Sequence, residues 1–407
     1  MSAILDKLLK GQNVEWLPLN EIVLPTKNIK WKDVDSIYQY IDLTSVDRKT
    51  NAIIETSLID KENAPSRAQK IVEHNDIIFA TTRPTQMRIA VITEELHEQI
   101  ASTGYCILRA DIKIVLPKWI YYNLSSVSFK NYLEENESGS AYPAISDTKL
   151  KEFKIPIPPL DVQAEIVRIL DAFTAVTAEL TAELTAELNM REKQYQYYRD
   201  KLLTFSDNEI IWKSLGELGQ LIRGNGLQKS DFTEDGFPAI HYGQIYTFYG
   251  TFADKTKSFV SENLAKKLKK AQNGDVLLAG TSENIQDVMK PLGWLGNEIA
   301  ISGDMFAYRP NTELDTKYLT YLLQTTEFQK YKEKYAHGTK VTRLNAEKFL
   351  RFEIAIPPLN EQKRIANILD KFEALTHSIT EGLPKEITLR EQQYEYYREQ
   401  LIDFPKN

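Results

Sequence analysis

Cysteine is nearly absent from this chain of 407 residues. Cys106 stands alone, so no internal disulfide can form and no thiolate cage can hold a metal. The histidines, at 74, 97, 241, 337 and 377, are scattered, with no pair at the helical spacing that would put two imidazoles on one face. No apolar run approaches the roughly 20 residues of a membrane-crossing helix. The opening residues lack the long apolar stretch and small-residue cleavage site of a secretory signal, which makes a cytoplasmic protein the expectation. Positive charge is not in excess either: the net charge is −7, a sum that hides where charge sits. No P-loop occurs, and Gly224-Asn225-Gly226 has Lys229 where a dinucleotide loop would place its third glycine.

What is present is a duplication. Phe153–Phe205 aligns without a gap on Phe352–Phe404, at an offset of 199 residues, and 26 of the 53 positions are identical. The offset reaches back into less similar sequence: Asp76-Ile77-Ile78 matches Asp275-Val276-Leu277, Lys118 matches Lys317, Phe129 matches Phe328, Tyr132 matches Tyr331 and Gly139 matches Gly338. Near the front of each half, Glu15–Ile22 resembles Ile211–Leu218 at an offset of 196. Two long repeats, unlike the many short ones of a solenoid, predict a pseudo-two-fold protein facing something that itself has two parts. With 42% hydrophobic and 26% charged residues, each half has the means to build a core.

The repeated segments read as helices. Pro158-Pro159 and Pro357-Pro358 force an extended entry, with Asp161 and Asn360 as expected N-caps. Ile166, Ile169, Leu170, Phe173, Val176 and Leu180 recur at three- and four-residue steps, as do Ile365, Ile368, Leu369, Phe372, Leu375 and Ile379. Tyr195, Tyr198 and Leu202 continue the first stripe; Tyr394, Tyr397 and Leu401 continue the second. Each stripe needs cover, and the other copy is the expected partner. The first helix contains Thr-Ala-Glu-Leu three times, over Thr177–Leu188. Leu180, Leu184 and Leu188 then drift about 40° per step while the helix lengthens about 6 Å, as in a spacer that can gain or lose units. In the second copy Gly382-Leu383-Pro384 predicts a break or kink.

The variable regions read as mixed α and β. Short β-rich runs (71–80, 87–93, 107–115; 275–279, 298–301, 305–308) precede helical stretches at 118–136 and 315–335. Basic residues concentrate here, with seven Lys or Arg against three Glu over 322–351 and six Lys against two acids over 253–270. Loops after the paired Asp-aliphatic strands carry side chains suited to base edges: Thr81, Thr82, Arg83, Gln86 and Arg88 in the first half, Thr281, Ser282 and Asn284 in the second. His241, Tyr242, Gln244 and Tyr246 interleave rings with donors and acceptors. The Gly139 loop (Ser140, Tyr142) and the Gly338 loop (Lys340, Thr342, Arg343) place amides and cations where phosphates can be met.

Together these residues carry a family pattern. Ile157-Pro158-Pro159-Leu160, Gln163 and Ile166, the Thr177–Leu188 repeats, Tyr195-Gln196-Tyr197-Tyr198-Arg199 and the second copies of the first and last blocks resemble the DNA-specificity subunit of type I restriction-modification systems, in the subclass with tandem Thr-Ala-Glu-Leu spacers. The resemblance implies an α+β fold: target-recognition domains at 1–155 and 207–354, and conserved helical segments at 156–206 and 355–407 that pair as an antiparallel coiled coil. It implies a non-catalytic subunit that reads a split, asymmetric double-stranded DNA site, without cofactor or metal of its own. Leu180, Leu184, Leu188, Tyr195, Tyr198, Tyr394 and Tyr397 are the candidate spacer and docking residues. Two modification subunits would bring S-adenosylmethionine, and restriction subunits ATP and Mg. Consistently, Pro158-Pro159 follows Ile157 and precedes Leu160, unlike an amino-methyltransferase motif. The alternatives are a coiled-coil scaffold that reads no DNA, and an endonuclease built on carboxylates such as Asp147.

Overall fold

The computed structural model describes residues 3–48, 50–206, 210–338, 341–376 and 382–405, residues 3 and 4 by their backbone alone. The chain divides into two units: Met1–Leu180 with Leu389–Asn407, and Thr181–Thr388. The boundary cuts each helical repeat, so each unit joins one variable region to parts of both.

In the first unit, a four-stranded sheet orders Val23–Leu24, Tyr105–Ala110, Ile77–Ala80 and Ile89–Val91. A second orders Ser57–Ile59, Tyr38–Ile41, Ile100–Ser102 and Ala68–Ile71. The run expected over 71–80 is thus two strands in different sheets. Asp76 breaks it: its buried carboxylate accepts the Glu73 amide at 2.7 Å and grips Arg109 at 2.9 and 2.8 Å, while Asn75 turns the chain at φ 69°. The helical stretch at 118–136 likewise divides, into Pro117–Leu124 and Val127–Asn136, because the Ser126 hydroxyl caps a new start by accepting the Phe129 amide at 3.1 Å.

The second unit repeats this plan with two five-stranded sheets. One orders Gly219–Arg223, Met305–Pro310, Val276–Ala279, Pro291–Trp294 and Phe252–Ala253; the other orders Phe232–Thr233, Ser258–Val260, Phe237–Ile240, Ile299–Ile301 and Lys270–Ala271. Asp275 takes the Gln272 amide at 2.8 Å and Arg309 at 2.9 Å, as Asp76 does with Glu73 and Arg109. Thr325 caps Thr326–Tyr335.

The Pro-Pro blocks enter by short ladders. Lys154–Ile157 pairs antiparallel with Glu15–Pro18, and Glu353–Ile356 with Ile211–Ser214, which accounts for the likeness at the front of each half. The helices that follow begin at Leu160 and Leu359. Asp161 and Asn360 are therefore first-turn residues rather than the expected N-caps. The polar anchor is instead a buried glutamine in each unit. The Gln163 side chain donates to Ile114 and Pro158 carbonyls at 3.0 and 2.8 Å and accepts the Leu116 amide at 2.9 Å. Gln362 does the same with Glu313, Pro357 and Asp315, each at 2.8 Å. Satisfying buried backbone groups in this way fixes the angle at which the helix leaves its domain.

The first repeat is one helix, Leu160–Leu203; the second is two, Leu359–Thr376 and Gly382–Ile402, with Gly382 at φ 73°, as Gly-Leu-Pro predicts. Residues 377–381 lie outside the described residues. Each core is completed by the end of a repeat that is distant in sequence or precedes the domain. Leu401, Ile402 and Phe404 are buried in the first unit, Phe404 edge-on to Trp119 at 5.9 Å. Tyr195 and Leu203 are buried in the second.

Candidate nucleic-acid interface

In each unit the wholly buried strand that starts at the Asp carboxylate delivers its loop beside the Gly139 or Gly338 loop. In the first unit Thr82 bridges to Ala144, the Arg83 amide donates to Pro143 at 2.7 Å, and the Ile145 amide donates to Thr81 at 2.9 Å. In the second, Thr281–Ser282 pairs antiparallel with Thr342–Arg343. Behind these pairs, Ser138 bridges to Ala144 and His337 to Arg343 at the same offset. The tight turns require glycine. Gly139 sits at φ 98° and Gly338 at φ 125°, and a Cβ on Gly338 would lie 2.0 Å from the Val341 carbonyl oxygen.

Among the candidates of the first unit, Arg83 and Tyr142 stand out. Arg83 is exposed and its guanidinium lies 5.6 Å from the centre of the Tyr142 ring, itself 73% exposed, so cation and ring form one outward surface. Ser140 is exposed, and Thr82 and Gln86 are half-buried. Arg88 is held inward, donating to the Leu43 carbonyl at 2.7 Å. Thr81 is buried and its hydroxyl donates to Gly104, which removes it from a contact surface.

In the second unit Ser282 is half-buried; Asn284 and Arg343 are exposed. Asn284 already exchanges hydrogen bonds with Asp287, its side-chain oxygen accepting the Asp287 amide and its side-chain nitrogen donating to the carboxylate, both at 2.8 Å. Lys340 lies outside the described residues. Thr281 and Thr342 are both buried. The 241–246 stretch is chiefly structural, contrary to expectation. Buried His241 caps the helix Tyr242–Thr247 by accepting the Gly243 amide at 3.2 Å, and burial, then Lys229, lowers its pKa. The Gln244 side chain accepts the His241 amide and donates to Ser258. The Tyr246 hydroxyl donates to the Thr281 carbonyl, so this helix braces the loop. The Tyr242 ring, half-buried, packs against His241 and Tyr246.

The structure adds two groups that sequence reading passed over. Arg223 and His337 join Arg343, Thr281, Asp304 and Asn345 around a cleft of about 420 Å³. Arg223 follows no motif; only the end of the strand Gly219–Arg223 brings it there. Among the described residues no group of three or more His, Cys, Asp or Glu gathers to hold a metal, and Asp147 pairs with Lys70 at 2.7 Å. No described helix is long and apolar enough to cross a membrane.

The helix candidates pack within the units. Phe173 stacks on Tyr397 at 5.8 Å, and the Thr174 and Tyr394 hydroxyls are 2.9 Å apart. Tyr198 stacks on Phe372 at 5.8 Å, and the Tyr195 hydroxyl donates to Glu373 at 3.1 Å. Leu180, Leu184 and Leu188 are all half-buried. Tyr198 and Tyr397 remain partly exposed, at 39% and 44%, and the neighbouring Tyr197 and Tyr396 are more so, each at 60%.

Comparison with known proteins follows this geometry. The family model described as the type I restriction modification DNA specificity domain matches residues 21–190 and again 209–389. A type I restriction enzyme specificity subunit of Escherichia coli is 35% identical over 99% of this chain and 97% of its own length. A second from Escherichia coli is 29% identical over 93% and 92%. Among solved structures, a chain from a study of complex assembly and conformational transition of the type I R-M system superposes with a TM-score of 0.76 at 24% identity, covering 96% of this chain and 98% of that one. The HsdS subunit from Thermoanaerobacter tengcongensis gives 0.54 at 24% identity, covering 97% and 96%. The scaffold and endonuclease alternatives give way to this match: the chain belongs to the type I restriction-modification DNA specificity family, as a specificity subunit and not itself an enzyme.

Proposed function

We propose that each unit reads one half of a split, asymmetric DNA site through its paired loops, and that the helical repeats set the distance between the halves. The observation that carries this is the repeated juxtaposition of a strand-end loop with a glycine turn, Thr82 with Ala144 and Thr281 with Arg343, in two units of one chain. Arg83 over Tyr142 and the cleft bordered by Arg223 and Arg343 then supply the cationic contacts that hold register on phosphates, while exposed polar side chains meet base edges. In this reading the repeats pair antiparallel, giving the chain its pseudo-two-fold character, and the Thr-Ala-Glu-Leu run is the adjustable spacer. Modification subunits, two by the symmetry of the repeat, dock on the helical segments and carry S-adenosylmethionine. Restriction subunits carry ATP and Mg. The complex works in the cytoplasm.

Methylation sequencing of a host expressing the chain with its modification subunit tests the reading. A split motif modified in both halves, lost with the chain, is expected; no motif in a strain where the partner is expressed and bound overturns it. Deleting Thr185–Leu188 shortens the helix by about 6 Å, or one to two base-pair rises of about 3.4 Å. The preferred gap should shrink with both half-sites intact, and an unchanged gap removes the spacer role.

A further inference from the structure

The loop from Gly280 to Met289 has a fastening that its counterpart in the first unit lacks. Lys332, on the helix Thr326–Tyr335, is 4% exposed, and its ammonium donates to the main-chain carbonyls of Gln286 at 2.6 Å and Val288 at 3.1 Å. The Phe328 ring lies 5.8 Å from the same nitrogen. Burial pulls the Lys332 pKa down to about 8, against the opposing pull of Asp287 and Glu333. An ammonium this far out of water is costly unless its protons are matched. The matching here comes from carbonyls of one loop. At the equivalent position, 199 residues earlier, stands Leu133, fully buried and apolar. The helices around the two positions otherwise agree: Phe328 stacks with Tyr331 at 6.4 Å as Phe129 does with Tyr132 at 6.5 Å. A lysine therefore stands in the second unit where the first has an aliphatic core residue, and it faces the longer of the two loops.

The loop's other ties lie toward its two ends: Thr281–Ser282 pairs with Thr342–Arg343, the Tyr246 hydroxyl donates to the Thr281 carbonyl, and Val288 and Met289 are buried in the core. Its ends are held by the Met289 amide donating to Ala279 at 2.7 Å and the Gly280 amide donating to Asp304 at 2.8 Å. Between them, Asn284 and Asp287 bond each other. Two bonds from one cation hold the middle of the loop, the segment just after Asn284, which the ladder at Thr281–Ser282 does not reach. We propose that Lys332 is a positioning residue for sequence discrimination by the second unit, holding the 280–289 loop in its DNA-reading conformation from beneath. The inference rests on the reading of that loop as DNA-facing. A charged tie to main-chain carbonyls is indifferent to the loop's side chains, so the loop's sequence is free to change while its shape is held.

The test uses the full chain assembled with its modification subunits. Lys332→Met keeps the stem without the charge, Lys332→Leu restores the first unit's residue, and Lys332→Arg keeps a cation that can donate to two carbonyls. Methylation sequencing reads both halves and the gap. For Met and Leu, discrimination against single-base changes should fall about tenfold in one half alone. The other half and the gap stay as in the unsubstituted chain, and Arg retains the original motif. Unchanged discrimination in an assembled Met or Leu variant overturns the inference, as does equal loss in both halves. Failure of both to fold overturns it too, since Lys332 would then hold the domain rather than the loop. No split motif from the unsubstituted chain would instead sink the DNA reading itself.

Discussion

The two units share a frame and differ at its edge. Asp76 with Arg109 and Asp275 with Arg309, Gln163 and Gln362, Lys118–Asp171 at 2.7 Å and Lys317–Asp370 at 2.6 Å occupy matching places. Tyr122 and Tyr321 donate to those last two aspartates, each at 2.7 Å. Where residues change, the bond can survive: Trp119 donates to Pro156 at 2.8 Å through its indole, and Tyr318 to Ala355 at 3.0 Å through its hydroxyl. The loops obey no such rule. One carries a cation stacked on an exposed ring; the other is longer, is tied to a buried lysine and borders a cleft with two arginines. Buried polar groups must be satisfied wherever they stand, so the frame admits few variants. The loop tips face solvent, and their chemistry is free to follow the ligand.

The comparison breaks most readily at the frame. Asp76→Ala and Asp275→Ala each leave a guanidinium without its buried carboxylate, and each should destabilise its own unit by about 3 kcal/mol. Hydrogen exchange resolved by unit would measure this, and a loss well under half of that in one unit would show the frames are not equivalent. Next is Phe404→Ala, which empties a site against Trp119 and should lower protection of the first unit by about 3 kcal/mol; Phe205→Ala, half-buried, should cost the second unit less. An unaffected first unit would mean the end of the second repeat does not complete its core. Gly338→Ala should strain its turn by about 1–3 kcal/mol, and Gly139→Ala by less, since a Cβ there meets Tyr142 oxygen at 2.9 Å rather than 2.0 Å. Each should blur one half of the methylated motif and spare the other. The smallest effect sharpens the contrast between loops: Arg343→Ala should reduce the slope of log affinity against log salt by about one. An unchanged slope would remove Arg343 from the phosphate contacts.

Legibility followed the physics of each element. The repeat, the two long helices and the break at Gly382 could be read because periodicity and proline act locally. The division of 71–80 at Asp76 could not, because the buried carboxylate that turns the chain gets its partner, Arg109, from a strand 33 residues on. Of the candidate interface, Arg83, Tyr142, Asn284 and Arg343 were legible as outward chemistry. Thr81, Thr281, Thr342, His241, Gln244 and Tyr246 looked the same in sequence. They are buried or hydrogen-bonded within the domain, and neither burial nor helix capping is visible in composition. Arg223, His337 and Lys332 carry no local signal at all.

By itself, then, the sequence determined the duplication, the helical character of the repeats and the family. These rest on spacing along the chain, which survives any fold. Only the tertiary structure decided that the end of each repeat completes a core, that two loops in each unit meet, and that a lysine lies under one of them. Such facts depend on which backbone carbonyls and apolar faces are left for distant residues to cover, and that is settled when the chain closes on itself.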